Sequence, residues 1–201
     1  MSATQTHTRA VTHRGTVLAW PRATCMAAAV LLFGGLCVAA AARARVKHTG
    51  SLEKLSFRDL AGQKQSLSAY RGQIVIVNFW ATWCKPCREE LPMLNELAGE
   101  YGDKGVTFVA VSVDEKKAWS QIPDFVKREK ITMHVLVGAN AGTVAKLKLG
   151  NEVPATVIFD TDGEPVGRIL GEARRSDIVS WLDWLRGSRT GPKPPAEVKH
   201  L

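Results

Sequence analysis

Ile74-Val75-Ile76-Val77-Asn78-Phe79-Trp80-Ala81-Thr82-Trp83-Cys84-Lys85-Pro86-Cys87 decides how the rest of the chain is read. Apart from Asn78, its first seven residues are apolar without alternation, the pattern of a strand buried on both faces of a sheet. Beyond Pro86 the period changes, with Leu91, Leu94, Leu97 and Ala98 at helical spacing. Two thiols therefore straddle a strand-to-helix turn. Three residues apart at a helix N-terminus, they lie one turn from each other, close enough for a disulfide with little backbone movement. The sulfur of Cys84 also faces unpaired helix N–H groups and the positive end of the helix dipole, both of which favour its thiolate. Thiolate is the nucleophile of disulfide exchange. The pair therefore reads as a redox couple in which Cys84 attacks and Cys87, a turn deeper, resolves the mixed disulfide.

Other uses of a Cys-x-x-Cys motif fit less well. A zinc site wants four ligands, and the other two cysteines, Cys25 and Cys37, lie in an apolar N-terminal segment with no histidine nearby. A purely structural disulfide over this spacing closes too small a loop to stabilise much.

Outward from this block the predicted elements alternate. Ser51 to Phe57 and Lys64 to Leu67, around Ala61-Gly62, read as a β-hairpin ahead of the main sheet. After the helix that begins near Pro86 and carries Pro92 in its interior, the spacing predicts a strand over Val106 to Val113 and a helix over Glu115 to Lys130. A short strand follows at Met133 to Val137 and a short helix at Ala141 to Leu149, ending at Gly150. Thr156 to Phe159 and Val166 to Leu170 form a hairpin across Asp162-Gly163. The last helix places Ile178, Trp181, Leu182 and Leu185 on one face and stops at Gly187. Residues 188–201, with Pro192, Pro194 and Pro195, read as a disordered tail.

Phe79-Trp80-Ala81-Thr82-Trp83-Cys84-Lys85-Pro86-Cys87-Arg88-Glu89-Glu90-Leu91-Pro92, with Val153-Pro154-Ala155-Thr156 and Asp160-Thr161-Asp162-Gly163 far downstream, resembles the thioredoxin superfamily, and within it the TlpA/ResA type of extracytoplasmic thiol-disulfide oxidoreductase. The resemblance covers about residues 50–187 and implies an α/β, thioredoxin-like fold: a central mixed β-sheet flanked by helices, with an N-terminal β-hairpin and a central insertion. It implies a cis Val153-Pro154 peptide packed against the disulfide, leaving the Val153 backbone free to pair with a substrate strand. Glu90 matches an active-site glutamate of the class and is the expected proton acceptor for the Cys87 thiol. The competing reading is a solvated carboxylate like Glu89. Thioredoxin itself carries a buried acid where this chain has Asn78, and an amide cannot move protons in that way.

Trp83 is expected to cover one flank of the site, although an aromatic beside a buried strand is more often core. Pro86 fixes the backbone between the thiols, and the cation of Lys85 tunes the Cys84 thiolate. The resemblance implies no metal or organic cofactor. It also implies partners: extracytoplasmic protein thiols and disulfides as substrates, and a membrane thiol reductase as electron donor. The family leans toward reductants, including those serving cytochrome c or copper-protein maturation, but Gly150-Asn151-Glu152-Val153-Pro154 departs from the block of its cytochrome-maturation subgroup. Two alternatives stay open. One is a thiol peroxidase of the peroxiredoxin type, whose Pro-x-x-x-Thr-x-x-Cys spacing is absent around Thr82 and Cys84. The other is a non-catalytic module that binds a partner or copper through the cysteines.

The chain has 201 residues and a net charge of +8. Arg9, Arg14, Arg22, Arg43, Arg45 and Lys47, with no acid among residues 1–47, supply +6 of that charge, so the remainder gives no reason to expect nucleic acid binding. Residues 1–45 read as a leader. From Thr24 to Ala42 no residue is charged, and as a helix this stretch spans about 28 Å, close to the hydrocarbon thickness of a bilayer. That length suits a retained membrane anchor, while Ala40-Ala41-Ala42 and Ala42-Arg43-Ala44 resemble signal-peptide cleavage sites. Either way the catalytic domain is expected in the periplasm or its equivalent.

Overall fold

The computed structural model describes residues 51–200. In chain order the elements are β1 (Ser56–Asp59), β2 (Lys64–Ser66), β3 (Ile74–Trp80), α1 (Lys85–Tyr101), β4 (Val106–Ser112), α2 (Ile122–Arg128), β5 (His134–Val137), α3 (Ala141–Lys146), β6 (Ala155–Phe159), β7 (Pro165–Leu170), α4 (Arg175–Arg186) and β8 (Glu197–Lys199). The strands form one mixed sheet in the order β2-β1-β5-β4-β3-β6-β7-β8. The expected leader and its segment 24–42, with Cys25 and Cys37, lie outside the described residues.

The unbroken apolar run of β3 is explained by its place. It pairs in parallel with β4 and antiparallel with β6, and every one of its residues is buried. Successive side chains point to opposite faces. Ile74, Ile76 and Trp80 join the core formed with Leu91, Leu94, Ile178 and Trp181, while Val75, Val77 and Phe79 join a second core with Val109, Val111, Val157 and Val144. Asn78 shares its parity with Ile76 and Trp80 and so faces α1.

Helix α1 starts where the sequence changes period. Cys84 is its N-cap, Pro86 occupies the first turn, where a missing N–H costs nothing, and Pro92 lies inside the helix. Its buried face is Cys87, Glu90, Leu91, Leu94 and Leu97, a helical stripe that contains one carboxylate.

Three expectations are revised. The predicted strand over Ser51 to Phe57 begins as a 3-10 turn, Ser51–Lys54, with β1 following. The helix expected over Glu115 to Lys130 is a 3-10 stretch, Lys116–Gln121, followed by the shorter α2. Pro123 in the first turn of α2 explains the break, since it has no N–H to donate back to Trp119 O; that carbonyl instead accepts the Ile122 N–H in a 3-10 bond, and Ile122 itself keeps helical dihedrals.

The largest correction concerns residues 188–201, expected to be a disordered tail. They return to the sheet, and β8 pairs in parallel with β7, matching Arg168 with Glu197, Ile169 with Val198 and Leu170 with Lys199. On the way Lys193 Nζ sits 5.7 Å and 5.5 Å from the ring centres of Trp181 and Trp184. The open edge of β7 offers backbone donors and acceptors that this segment satisfies, so low local hydrophobicity is outweighed by edge pairing and cation–π contact. Composition alone carries no information about such a free edge.

Candidate active site

The site lies at the ends of the central strands, where β3 passes into α1. Cys84 and Cys87 are joined by a disulfide, with an S–S distance of 2.05 Å and Cα atoms 5.3 Å apart. Cys84 Sγ also accepts the Cys87 N–H at 3.2 Å. Cys84 Sγ is thus the N-cap acceptor of the helix, a position that stabilises negative charge on it. Cys84 is 5% exposed and Cys87 fully buried, so a partner's sulfur can approach only the first.

Val153-Pro154 is a cis peptide, and Val153 O stands 3.6 Å from Cys84 Sγ. The structure therefore brings together Cys84, Cys87, Val153 and Pro154, which are separated by almost 70 residues in sequence. Trp83 is 70% exposed, so it is not a core aromatic. It borders a cleft of about 400 Å³ with Val113, Ala141, Val144 and Val153. On the other flank a groove of about 750 Å³ is lined by Pro86, Val153, Pro154, Gly171, Arg174 and Lys199. Lys85 extends into solvent and pairs with Glu89 at 3.5 Å, so its charge is shared with an acid and screened by water.

Glu90 is not a surface carboxylate like Glu89. It is 2% exposed and held from two sides: Asn78 Nδ2 donates to Oε1 at 2.7 Å, and the Ala173 N–H donates to Oε2 at 2.6 Å. Asn78 Nδ2 is itself 3.0 Å from Thr156 Oγ1 on β6. Burial pushes the Glu90 carboxyl up to about 7; the Ala173 and Asn78 donors oppose the rise and the charge of Glu172 adds to it. Glu90 thus stands half-ionised near neutral pH, one helical turn after Cys87. Asn78, read from the sequence only as unable to replace a buried acid, is the residue that orients one. The alternation of β3 was the available signal, because it sets Asn78 toward α1.

Asp114 was missed. It is 3% exposed and accepts hydrogen bonds from the Thr82 N–H at 3.0 Å, Thr82 Oγ1 at 2.8 Å and Ser112 Oγ at 2.7 Å. These bonds tie the end of β4 to the turn that carries Trp83 and Cys84. No local pattern marks this residue; the parallel register, with Trp80 opposite Ser112, creates the contact. Asp114→Ala leaves three donors, the buried Ser112 hydroxyl and two on half-buried Thr82, without their acceptor. It is expected to cost about 3 kcal/mol, measured as a shift in the midpoint of urea unfolding.

Among the described residues, no group of three or more His, Cys, Asp or Glu side chains is arranged to hold a metal ion. The chemistry available at this site is sulfur exchange with an acid–base group beside it.

Comparison with known proteins agrees with this geometry. Residues 50–164 match the AhpC/TSA family model. The thiol-disulfide oxidoreductase ResA of Bacillus cereus is 34% identical over 124 residues, covering 62% of this chain and 70% of its own. ResA of Geobacillus kaustophilus is 35% identical over 128 residues, 64% of this chain and 72% of its own. Among solved structures, a thioredoxin-family thiol:disulfide interchange protein from Chlorobium tepidum superposes with a TM-score of 0.57 at 25% identity, covering 66% of this chain and 93% of that one. With its cysteines closed into a disulfide at the mouth of a thioredoxin-like sheet, this chain belongs to the AhpC/TSA family as a ResA-like thiol-disulfide oxidoreductase.

Proposed function

We propose that the Cys84/Cys87 couple reduces disulfides in proteins outside the cytoplasm, that a membrane thiol reductase recharges it, and that residues 24–42 tether it to the membrane. Oxidised cysteines awaiting haem or copper are the substrate class that suits the family resemblance. In this reading the Cys84 thiolate attacks one sulfur of the partner's disulfide and releases the other as a thiolate. Cys87 then gives its proton to Glu90 and attacks Cys84 Sγ, which breaks the mixed disulfide and frees the second partner sulfur. The partner gains two electrons, its thiolates take up protons, and Cys84–Cys87 leaves the cycle as the disulfide seen here. Val153 lends its backbone to the incoming strand, Pro154 packs beside the sulfurs, and exposed Trp83 covers the apolar flank.

The observation that carries the reductant direction is the buried carboxylate of Glu90 on the same helix face as Cys87. Strong oxidants of this fold owe their potential to a stabilised thiolate in the reduced form. A carboxylate beside the couple opposes a second negative charge and raises the thiol pKa values, which favours transfer of electrons to a partner. The opposing cation, Lys85, is solvated and paired with Glu89. The experiment is rapid acid quenching of cells followed by alkylation of free thiols. Cys84 and Cys87 are expected to be mostly reduced at steady state and to become oxidised when membrane thiol reductase activity is removed. A couple found oxidised in otherwise normal cells overturns the reductant reading.

A further inference from the structure

The C-terminal strand lies beyond residues 50–164, which match the family model, yet it reaches the redox centre. The His200 N–H donates to Leu170 O at 2.8 Å, and Arg168 N–H to Ala196 O at 2.9 Å. His200 Nε2 lies 2.7 Å from Asp177 Oδ2, which also accepts the Arg174 N–H at 3.1 Å. The strand therefore grips both ends of the segment from Leu170 to Arg174. Between those ends the same segment holds the site: the Gly171 N–H donates to Pro154 O at 3.1 Å, and the Ala173 N–H donates to Glu90 Oε2 at 2.6 Å. Contact at Gly171 is close enough to require glycine. Its φ is +88°, and a Cβ there would stand 1.7 Å from His200 O.

We infer that β8 and His200 form a positioning element of the redox centre, bracing the Leu170–Arg174 segment so that its amides keep Pro154 and Glu90 in place. The bonds in the series run from 2.6 to 3.1 Å, and two of the acceptors belong to the site itself. The part that concerns Glu90 rests on its proposed role as proton acceptor. Around Glu90 the groups are the neutral donors Asn78 and Ala173, Cys87 on its own helix, and the carboxylate of Glu172. With the brace gone, Glu90 loses a donor that favours its ionised form while Glu172 still repels it, so its proton affinity rises.

The test compares the whole protein with a variant lacking residues 196–201, with His200→Ala, and with His200→Gln, which keeps a donor for Asp177. Amide hydrogen exchange reads the brace directly. The Gly171 and Ala173 amides are expected to exchange about tenfold faster in the deletion and faster in His200→Ala, with His200→Gln restoring protection. The pH midpoint of the exchange rate with an oxidised protein substrate is expected to rise by about half a unit in the deletion. Unchanged amide protection overturns the brace, and a midpoint that stays or falls overturns its action on Glu90. Glu90→Gln, measured alongside, separates the two ideas. If that variant keeps the wild-type midpoint, the proton-acceptor role fails, while the amide data still decide the brace.

Discussion

Cys87→Ala is expected to accumulate mixed disulfides on Cys84, and Cys84→Ser to lose disulfide exchange by about a thousandfold or more. The asymmetry follows from position. Cys84 caps α1 beside Val153 O and, in the proposed mechanism, is the sulfur an incoming strand meets. Cys87 is fully buried one turn further on and reaches only its neighbour. Without Cys87 the first attack still occurs, but nothing expels the partner. Without Cys84 the remaining thiol has no access to an external disulfide. Serine is a good N-cap, so Cys84→Ser keeps the helix start and isolates the chemistry. Insulin reduction driven by dithiothreitol checks the loss of activity, and affinity capture of Cys87→Ala from cells under non-reducing conditions checks the trap. Peroxide consumption that depends on Cys84 and outpaces insulin reduction would shift the activity toward a thiol peroxidase. Absence of trapped partners, together with absence of insulin reduction, would favour a non-catalytic module that binds through the cysteines.

Glu90→Gln is expected to flatten the pH dependence of stability and to remove the neutral midpoint of the exchange rate. The folded carboxyl titrates near 7, whereas an unfolded glutamate titrates near 4.3. Below both values the group is protonated in either state and contributes nothing. As pH rises through the unfolded value the unfolded chain gives up its proton while the folded chain keeps it. Stability therefore falls until the pH passes the folded value and is level beyond it. The separation corresponds to a loss of about 4 kcal/mol across that window. Glutamine resembles the protonated acid in shape and carries no charge, so the variant matches the wild type most closely at low pH. Urea unfolding at pH 4.5 and pH 8 checks the slope. The kinetic effect is tested by the exchange rate over the same range: loss of the inflection near 7 is the expected result, and an unchanged inflection excludes Glu90 as the proton acceptor. In the proposed mechanism such an arrangement trades stability at neutral pH for a group ready to take a proton. The buried Oδ1 of Asn78, which has no hydrogen-bond partner, fits a site that must also receive the protonated acid, whose O–H is a donor.

Much of the architecture was legible because its signals are local. The apolar run of β3, the change of period at Pro86 and the turn at Asp162-Gly163 each report on a few neighbouring residues, and the strands and helices formed where those patterns stood. The element between Glu115 and Lys130 was harder, since its apolar spacing spans a break that Pro123 imposes. At the site, the two cysteines and Pro154 were readable from motif and order. Asn78 carried only the signal of its face on β3, because its partner Glu90 is met by packing against α1, and Asp114 carried none, because its contact depends on the β3–β4 register.

The final residues mark the boundary most clearly. Pro192, Pro194 and Pro195 describe a segment with little drive to fold by itself, and that description remains true of the isolated peptide. Only the assembled sheet supplies the free β7 edge, the indole faces of Trp181 and Trp184, and the carboxylate of Asp177 that hold it. By itself the amino-acid order determined a dithiol on a helix start, because three-residue spacing and a strand-to-helix switch are short-range facts. Tertiary structure alone decided the environment of that dithiol, because burial and the partners of Glu90 come from β3, α1 and the segment after β7 meeting in space.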